Sequence, residues 1–311
     1  MKKSGLMLWS LFFSLYSQAL YAAEQPSTPA SSFPAVPQIM GGYEATDGAW
    51  PWMAAILYTS EPDLYKAQYC GGVLIASNWV LTAGHCTQKN VNGVLVNLVA
   101  SDINVAVGVY DLANGSGTRI PVKRIVRHPA YVDFYANDIA LLELSSASGQ
   151  QPITIFSGIS MQGIDPGLLN QMTTLVGWGL ADTATTWYYP EKLRQVNLPV
   201  IADANCNNGY GVTLSGSQFC AGYTEARDAC TGDSGGPMML VVDGQWVHVG
   251  LVSYGAECEV QNGYYGVYTR SSAFVDFIKQ SVPAAKFTSE TAPPATVPRS
   301  LPWLMLLLHN P

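Results

Sequence analysis

Residues 228–242 read Asp-Ala-Cys-Thr-Gly-Asp-Ser-Gly-Gly-Pro-Met-Met-Leu-Val-Val, and the run after the serine decides the fold. A serine flanked by glycines can present its hydroxyl and leave neighbouring backbone N–H groups free to stabilise an oxyanion. Gly232–Gly236 also fits the G-x-S-x-G elbow, in which the serine sits on a turn from strand into helix. Here Ser234 is succeeded by Pro237 and a run of β-forming apolar residues, which predicts a strand and not a helix. The elbow also places its acid and base after the serine, and the histidines beyond Ser234 are only His248, close behind it, and His309, near the chain end. The stretch excludes an α/β-hydrolase and points to a serine nucleophile on a β framework.

The surrounding chain agrees. From Ile39 onward short apolar or alternating runs are separated by Gly, Asn, Asp and Pro turns. Strands are predicted at Trp52–Tyr58, Trp79–Thr82, Ile103–Tyr110, Ile120–Val126, Asp138–Leu144, Thr173–Trp178, Leu193–Ile201, Trp246–Tyr254 and Tyr265–Arg270. So many short strands predict a barrel or a sandwich. One helix is predicted near the end, with Ser271 and Ser272 as caps, Phe274, Phe277 and Ile278 at helical spacing, and a stop before Pro283. Apolar residues make up 48% and charged residues only 12% of the chain, which suits a loop-rich β protein. The net charge of −7 argues against nucleic acid as the partner, because phosphate binding needs a basic face.

Before Ile39 the chain reads as an export leader. Lys2 and Lys3 precede an apolar stretch from Gly5 to about Tyr16, and Ala22 and Ala23 offer a cleavage point, so residues 1–22 are expected to be a signal peptide. Residues 23–38, rich in Pro, Ser and Ala, are expected to be a propeptide. Residues 283–311 form a Pro/Thr-rich tail whose apolar end, 301–308, is too short to span a bilayer. The expected location is secreted, whether periplasmic or extracellular. Export gives the six cysteines a meaning: Cys70, Cys86, Cys206, Cys220, Cys230 and Cys258 are expected to form three disulfides, with the pairing left open by spacing alone. No C-x-x-C pair and no clustered His–Cys spacing suggests a metal site, and no metal or other cofactor is expected.

Serine needs a base, and the base needs an orienting carboxylate. His85 lies in Leu81-Thr-Ala-Gly-His-Cys86 at the end of an apolar run. Asp138 opens Asp-Ile-Ala-Leu-Leu-Glu-Leu144, a lone acid heading a strand that otherwise reads as buried. A buried acid is costly unless partnered, and His85 would supply the partner. His128, in Arg-His-Pro, reads as a surface loop residue, and His248 as one position of a strand.

These three segments resemble the motifs of the trypsin and chymotrypsin family of serine endopeptidases. TAGHC is similar to its histidine motif, which usually reads TAAHC; NDIALLEL resembles its aspartate motif; GDSGGP matches its serine motif, and the order His, Asp, Ser is the same. Ile39-Met-Gly-Gly42, Cys70-Gly-Gly72, Val176-Gly-Trp-Gly179, Ser253-Tyr-Gly255 and Gly266-Val-Tyr-Thr269 resemble further family segments, so the likeness runs from 39 to about 282. It implies an all-β fold of two packed six-stranded antiparallel barrels, about 39–155 and 156–270, with a C-terminal helix. It implies that Ser234 is the nucleophile, His85 the general base and acid, Asp138 its orienter, and that Gly232 and Ser234 form the oxyanion hole. Asp228 would lie at the base of the primary specificity pocket and select Arg or Lys, with Ala229, Ser253, Tyr254, Gly255 and Gly266 also binding substrate. Because Ala229 offers no hydroxyl to solvate an ammonium, Arg is expected over Lys.

The resemblance also implies the pairings Cys70–Cys86, Cys206–Cys220 and Cys230–Cys258, and activation by cleavage at Gln38–Ile39, which would free an amine on Ile39 to pair with Asp233. Partners implied are protein or peptide substrates, an activating protease and protein inhibitors. Three positions depart from the usual pattern. Gln38 stands where Arg or Lys is common, so a separate activating protease is expected. Asp111 is alone where some relatives gather acids for calcium. Tyr265 stands where many have Pro, a feature associated with sodium binding in some relatives.

Overall fold

Alternating and continuous apolar runs become strands that close on themselves twice. The computed structural model describes residues 38–39, 42–114, 117–132, 136–158, 167–183, 186–223, 229–255 and 265–288. The first barrel is built from β1 (Met53–Tyr58), β2 (Gln68–Ala76), β3 (Trp79–Thr82), β4 (Ile103–Val107), β5 (Ile120–Arg127) and β6 (Ala140–Leu144), in the closed order β6-β3-β2-β1-β4-β5. The second uses β7 (Met172–Gly177), β8 (Arg194–Ile201), β9 (Gln218–Ala221), β10 (Pro237–Val242), β11 (Gln245–Tyr254) and β12 (Gly266–Arg270), in the order β11-β10-β7-β8-β9-β12, and closes through pairing of β11 with β12. Every neighbouring pair in both barrels is antiparallel. The expectation of two six-stranded barrels holds.

Burial explains which runs alternate and which do not. In β8, Val196, Leu198 and Val200 point into the second barrel and the residues between them face outward. In β1 both faces are covered: Ala54 and Ile56 fill the first barrel, while Met53, Ala55 and Leu57 join a core shared with Val176, Trp178, Met239 and Leu251 of the second barrel's segments. A strand buried on two faces reads as a continuous apolar run, as Met-Ala-Ala-Ile-Leu does. The barrels are also hydrogen-bonded together, with the Gly71 N–H donating to the Ser234 carbonyl at 2.7 Å.

Several peripheral features refine the sequence reading. Ser271 and Ser272 do not cap the last helix. They lie inside a 3₁₀ turn, Ser271–Phe274, that leads into the helix Val275–Ser281, and Ser271 Oγ is 2.9 Å from Nε2 of the fully buried His248. His128 is half-buried and not a free loop residue, since its ring meets Phe274 and Phe277 edge-on. The first residues of the tail are docked: the Thr288 N–H donates to the Ile155 carbonyl at 2.9 Å. A hairpin, Gln88–Val91 with Val94–Asn97, projects just past His85 on an Asn92-Gly93 turn with both residues at positive φ. The signal-peptide segment and the rest of the tail lie outside the described residues.

Candidate active site

His85 opens a 3₁₀ turn, His85–Thr87, directly after β3. Asp138 sits two residues before β6, the neighbour of β3, so the pairing of these strands brings histidine and aspartate together across 53 residues of sequence. Asp138 Oδ2 lies 2.8 Å from His85 Nδ1, and Oδ1 accepts the His85 backbone N–H at 2.9 Å. The carboxylate is only 2% exposed. Burial pushes its pKa up. The adjoining imidazole, its hydrogen bonds and the Ser253 hydroxyl oppose this and hold Asp138 below the ordinary carboxylate range. Ser253 Oγ, from the end of β11, donates to Oδ2 at 2.6 Å, and Thr269 Oγ1, from β12, donates to the Asp138 carbonyl at 2.8 Å. An aspartate of the first barrel is thus fixed by two hydroxyls of the second.

The serine loop is pressed against the histidine loop. Cys86 Sγ lies 3.5 Å from the Ser234 carbonyl oxygen, and the Cys70–Cys86 disulfide ties the histidine loop to β2. Gly235, at φ 73°, could carry no side chain, because a Cβ there would lie 2.2 Å from Thr82 Oγ1 and 2.9 Å from the Ala83 nitrogen. Ser234 itself is half-buried. Among the described residues, the N–H groups of Gly232 and Ser234 have no hydrogen-bond partner, whereas the Gly232 carbonyl accepts from Gln68 Nε2 at 2.9 Å. Two backbone donors left open beside a serine are what an oxyanion requires. A cavity of about 330 Å³ opens beside Gly232, walled by Tyr65, Tyr69, Trp178 and Tyr189.

Asp233, next to the serine, is wholly buried. Its Oδ1 accepts from the Gly179 N–H at 2.7 Å and its Oδ2 from the Cys230 N–H at 2.9 Å. Burial outweighs these two bonds and pushes its pKa up to about 6. Gln38 and Ile39 pair antiparallel with Asp182 and Ala181.

The remaining expected site residues divide. Ser253, Tyr254 and Gly255 lie at the end of β11 and Gly266 at the start of its neighbour β12, with Tyr254 opposite Val267. Ala229 packs half-buried on the second barrel's core. Asp228 and Cys258 lie outside the described residues. The disulfides Cys70–Cys86 and Cys206–Cys220 are formed as expected, and Cys230 is disulfide-bonded. Thr269 and Gln68 have roles that the sequence does not announce. Thr269 stands in a family-like segment, but the contact of Gln68 spans 164 residues and leaves no local signal.

Comparison with known proteins gives a consistent result. The family model described as Trypsin matches residues 39–278. The chain is 33% identical over 263 residues to serine proteinase stubble of Drosophila melanogaster, covering 79% of this chain and 31% of that protein. It is 33% identical over 252 residues to venom serine protease Bi-VSP of Bombus ignitus, covering 77% of this chain and 67% of that protein. Among solved structures it is similar to neuropsin, a serine protease expressed in the limbic system of mouse brain, with a TM-score of 0.62 and 25% identity over 78% of this chain and 98% of that one.

Proposed function

The chain belongs to the trypsin family of serine proteases, and from that premise we propose a secreted endopeptidase that hydrolyses peptide bonds after Arg, and less readily after Lys. The observation that carries the reading is the hydrogen-bonded run Ser253–Asp138–His85 beside the Ser234 loop. Ser234 Oγ attacks the scissile carbonyl while His85 Nε2 takes its proton. Asp138, bonded to Nδ1, fixes the tautomer and stabilises the imidazolium. The N–H groups of Gly232 and Ser234 hold the oxyanion, each worth about 10²–10³ in rate. His85 then returns the proton to the leaving amine, and water resolves the acyl-enzyme by the same path. By its place in the family motif, six residues before Ser234, Asp228 is the carboxylate that selects Arg, whose planar fork pairs with a carboxylate at two points. Ala229, Ser253, Tyr254, Gly255 and Gly266 complete the binding surface.

The protein is made as a zymogen. Cleavage of Gln38–Ile39 frees an ammonium that pairs with Asp233. That carboxyl sits in a site where ionisation is unfavourable until a cation arrives. Gln38 does not suit the enzyme's own pocket, so a different protease performs the cleavage.

The test is hydrolysis of two short peptides, one with Arg and one with Phe before the scissile bond, by protein whose chain begins at Ile39, with Ser234→Ala as control. Cleavage of the Arg peptide, lost in the control, supports the triad and the Asp228 pocket together. Cleavage of the Phe peptide alone overturns the pocket, and cleavage of neither overturns the reading.

A further inference from the structure

Gly84 immediately precedes His85 where the family's motif usually carries alanine, and its backbone does not explain the choice. At φ −61° and ψ −41° it occupies the right-handed helical region, open to any residue. Space explains it. A Cβ on Gly84 would stand 2.9 Å from Cδ2 and 3.2 Å from Cε2 of Tyr131, and 3.2 Å from Oδ1 of Asp138. The volume of one methyl group is therefore shared by the edge of the Tyr131 ring and by the oxygen that accepts the His85 backbone N–H.

We propose that Tyr131 is a positioning residue for the His85–Asp138 pair, and that position 84 is glycine to admit its ring. This rests on the peptidase reading above. The pair is held on one side by Ser253 and on another by the His85 N–H; the Tyr131 ring edge borders the same methyl-sized space beside Gly84 that Asp138 Oδ1 borders. An aromatic edge carries the positive part of the ring quadrupole, so it is a favourable wall for a carboxylate and excludes water from it. With water excluded, the Nδ1–Oδ2 bond is stronger and the imidazole is held at one angle. The ring is itself anchored to the segment that carries the aspartate. The Tyr131 N–H donates to the His128 carbonyl at 3.0 Å, and the His128 N–H donates to the carbonyl of Ile139, next to Asp138, at 3.1 Å. Arg127, at the end of β5, is a charged group near the ring, and it is bonded to Thr87 Oγ1 at 2.6 Å and to the Thr87 carbonyl at 2.8 Å. Among the described residues, the neutral hydroxyls of Ser253 and Thr269 also bond to Asp138.

A double-mutant cycle of Gly84→Ala and Tyr131→Ala tests this with two readouts. The first is kcat for the Arg peptide in protein beginning at Ile39. The second is the far-downfield proton resonance of His85 Nδ1–H, tracked against pH in Ser234→Ala protein, which needs no turnover. Gly84→Ala alone is expected to lower kcat about tenfold, less than the ~10²-fold that a 1 Å misplacement can cost, and to move the resonance. With Tyr131→Ala already present the methyl fills vacated space, and the same substitution changes either readout by less than about twofold. Tyr131→Phe keeps the ring and stays within about twofold of the parent. Should Tyr131→Ala fail to fold by circular dichroism, Tyr131→Leu takes its place in the cycle. Strictly additive effects, or a resonance unmoved by Gly84→Ala, overturn the proposal. If the parent cleaves no peptide the peptidase reading fails, while the resonance still decides whether ring and methyl compete beside the pair.

Discussion

Asp138 and Asp233 are both buried, at 2% and 0% exposure, and both are bonded to backbone N–H groups, yet their carboxyls are driven in opposite directions. Asp138 is held below its ordinary range because an imidazole and a hydroxyl meet it as well. Asp233 has two N–H donors and rises to about 6. Burial raises the free energy of any carboxylate, so what separates the two sites is whether a group able to carry positive charge stands beside the acid. One site has its partners in place in the chain as it stands. The other is built for a cation that, on the zymogen reading, arrives with cleavage.

The sharpest way to break this comparison is to remove each charge. Asp138→Asn should lower kcat on the Arg peptide by about 10⁴, since the amide stabilises the wrong tautomer of His85; steady-state kinetics on cleaved protein would show it, and a loss under tenfold would make Asp138 a structural acid. Asp233→Asn should lower kcat/KM of cleaved protein by about 10², the worth of a lost oxyanion donor, and leave uncleaved protein folded. If cleaved Asp233→Asn keeps full activity, the ammonium pairing is wrong.

Stability against pH sharpens the contrast further. A carboxyl whose folded pKa is raised contributes stability that is full below its unfolded pKa and is lost as pH rises through the folded value. Asp233 should therefore cost uncleaved protein up to about 3 kcal/mol between pH 4 and 6. Asp138, held low, contributes stability present above its unfolded pKa and lost as pH falls through the folded value. His248, pushed down to about 3 by burial, also loses stability as pH falls. Because His248 opposes Asp233 over the same range, the measurement is the difference in melting temperature between parent and Asp233→Asn, both carrying Ser234→Ala. That difference should grow in favour of the asparagine variant from pH 4 to 6, and a constant difference would place Asp233 with the ordinary acids. The smallest expected effect is Ser253→Ala, which removes one hydrogen bond to the Asp138 carboxylate and should cost about tenfold in kcat; no change would mean that His85 alone keeps Asp138 ionised.

The sequence makes legible whatever a short stretch can state. Ten strand segments, the glycine-flanked serine and the acid at the head of an apolar run each announce themselves locally, and the motif order supplies the architecture. Strands β2 and β9 do not. Gln68–Ala76 contains two glycines and Gln218–Ala221 spans only four residues, so neither shows a clear period. Serines ahead of a helical run suggest caps, but Ser271 is committed to His248, 23 residues away. Thr269 and Gln68 escape notice for the same reason: their importance lies in partners from distant segments, and a lone polar residue does not say where its hydrogen bond goes. The glycine at position 84 is visible as a departure from the motif, but its reason needs the ring of Tyr131.

The distribution of these groups over two barrels bears on how the molecule matures. His85 and Asp138 belong to one barrel and Ser234 to the other, and the bonds from Gly71, Ser253 and Thr269 that align them all cross between the two. Each barrel can gain its own ladder before the seam between them is sealed. Recovery of peptidase activity after dilution from denaturant should therefore lag behind recovery of β-sheet circular dichroism, because activity reports only the final docking. A substitution in the shared core, such as at Met53 or Met239, would lengthen that lag while leaving every group of the catalytic site in place.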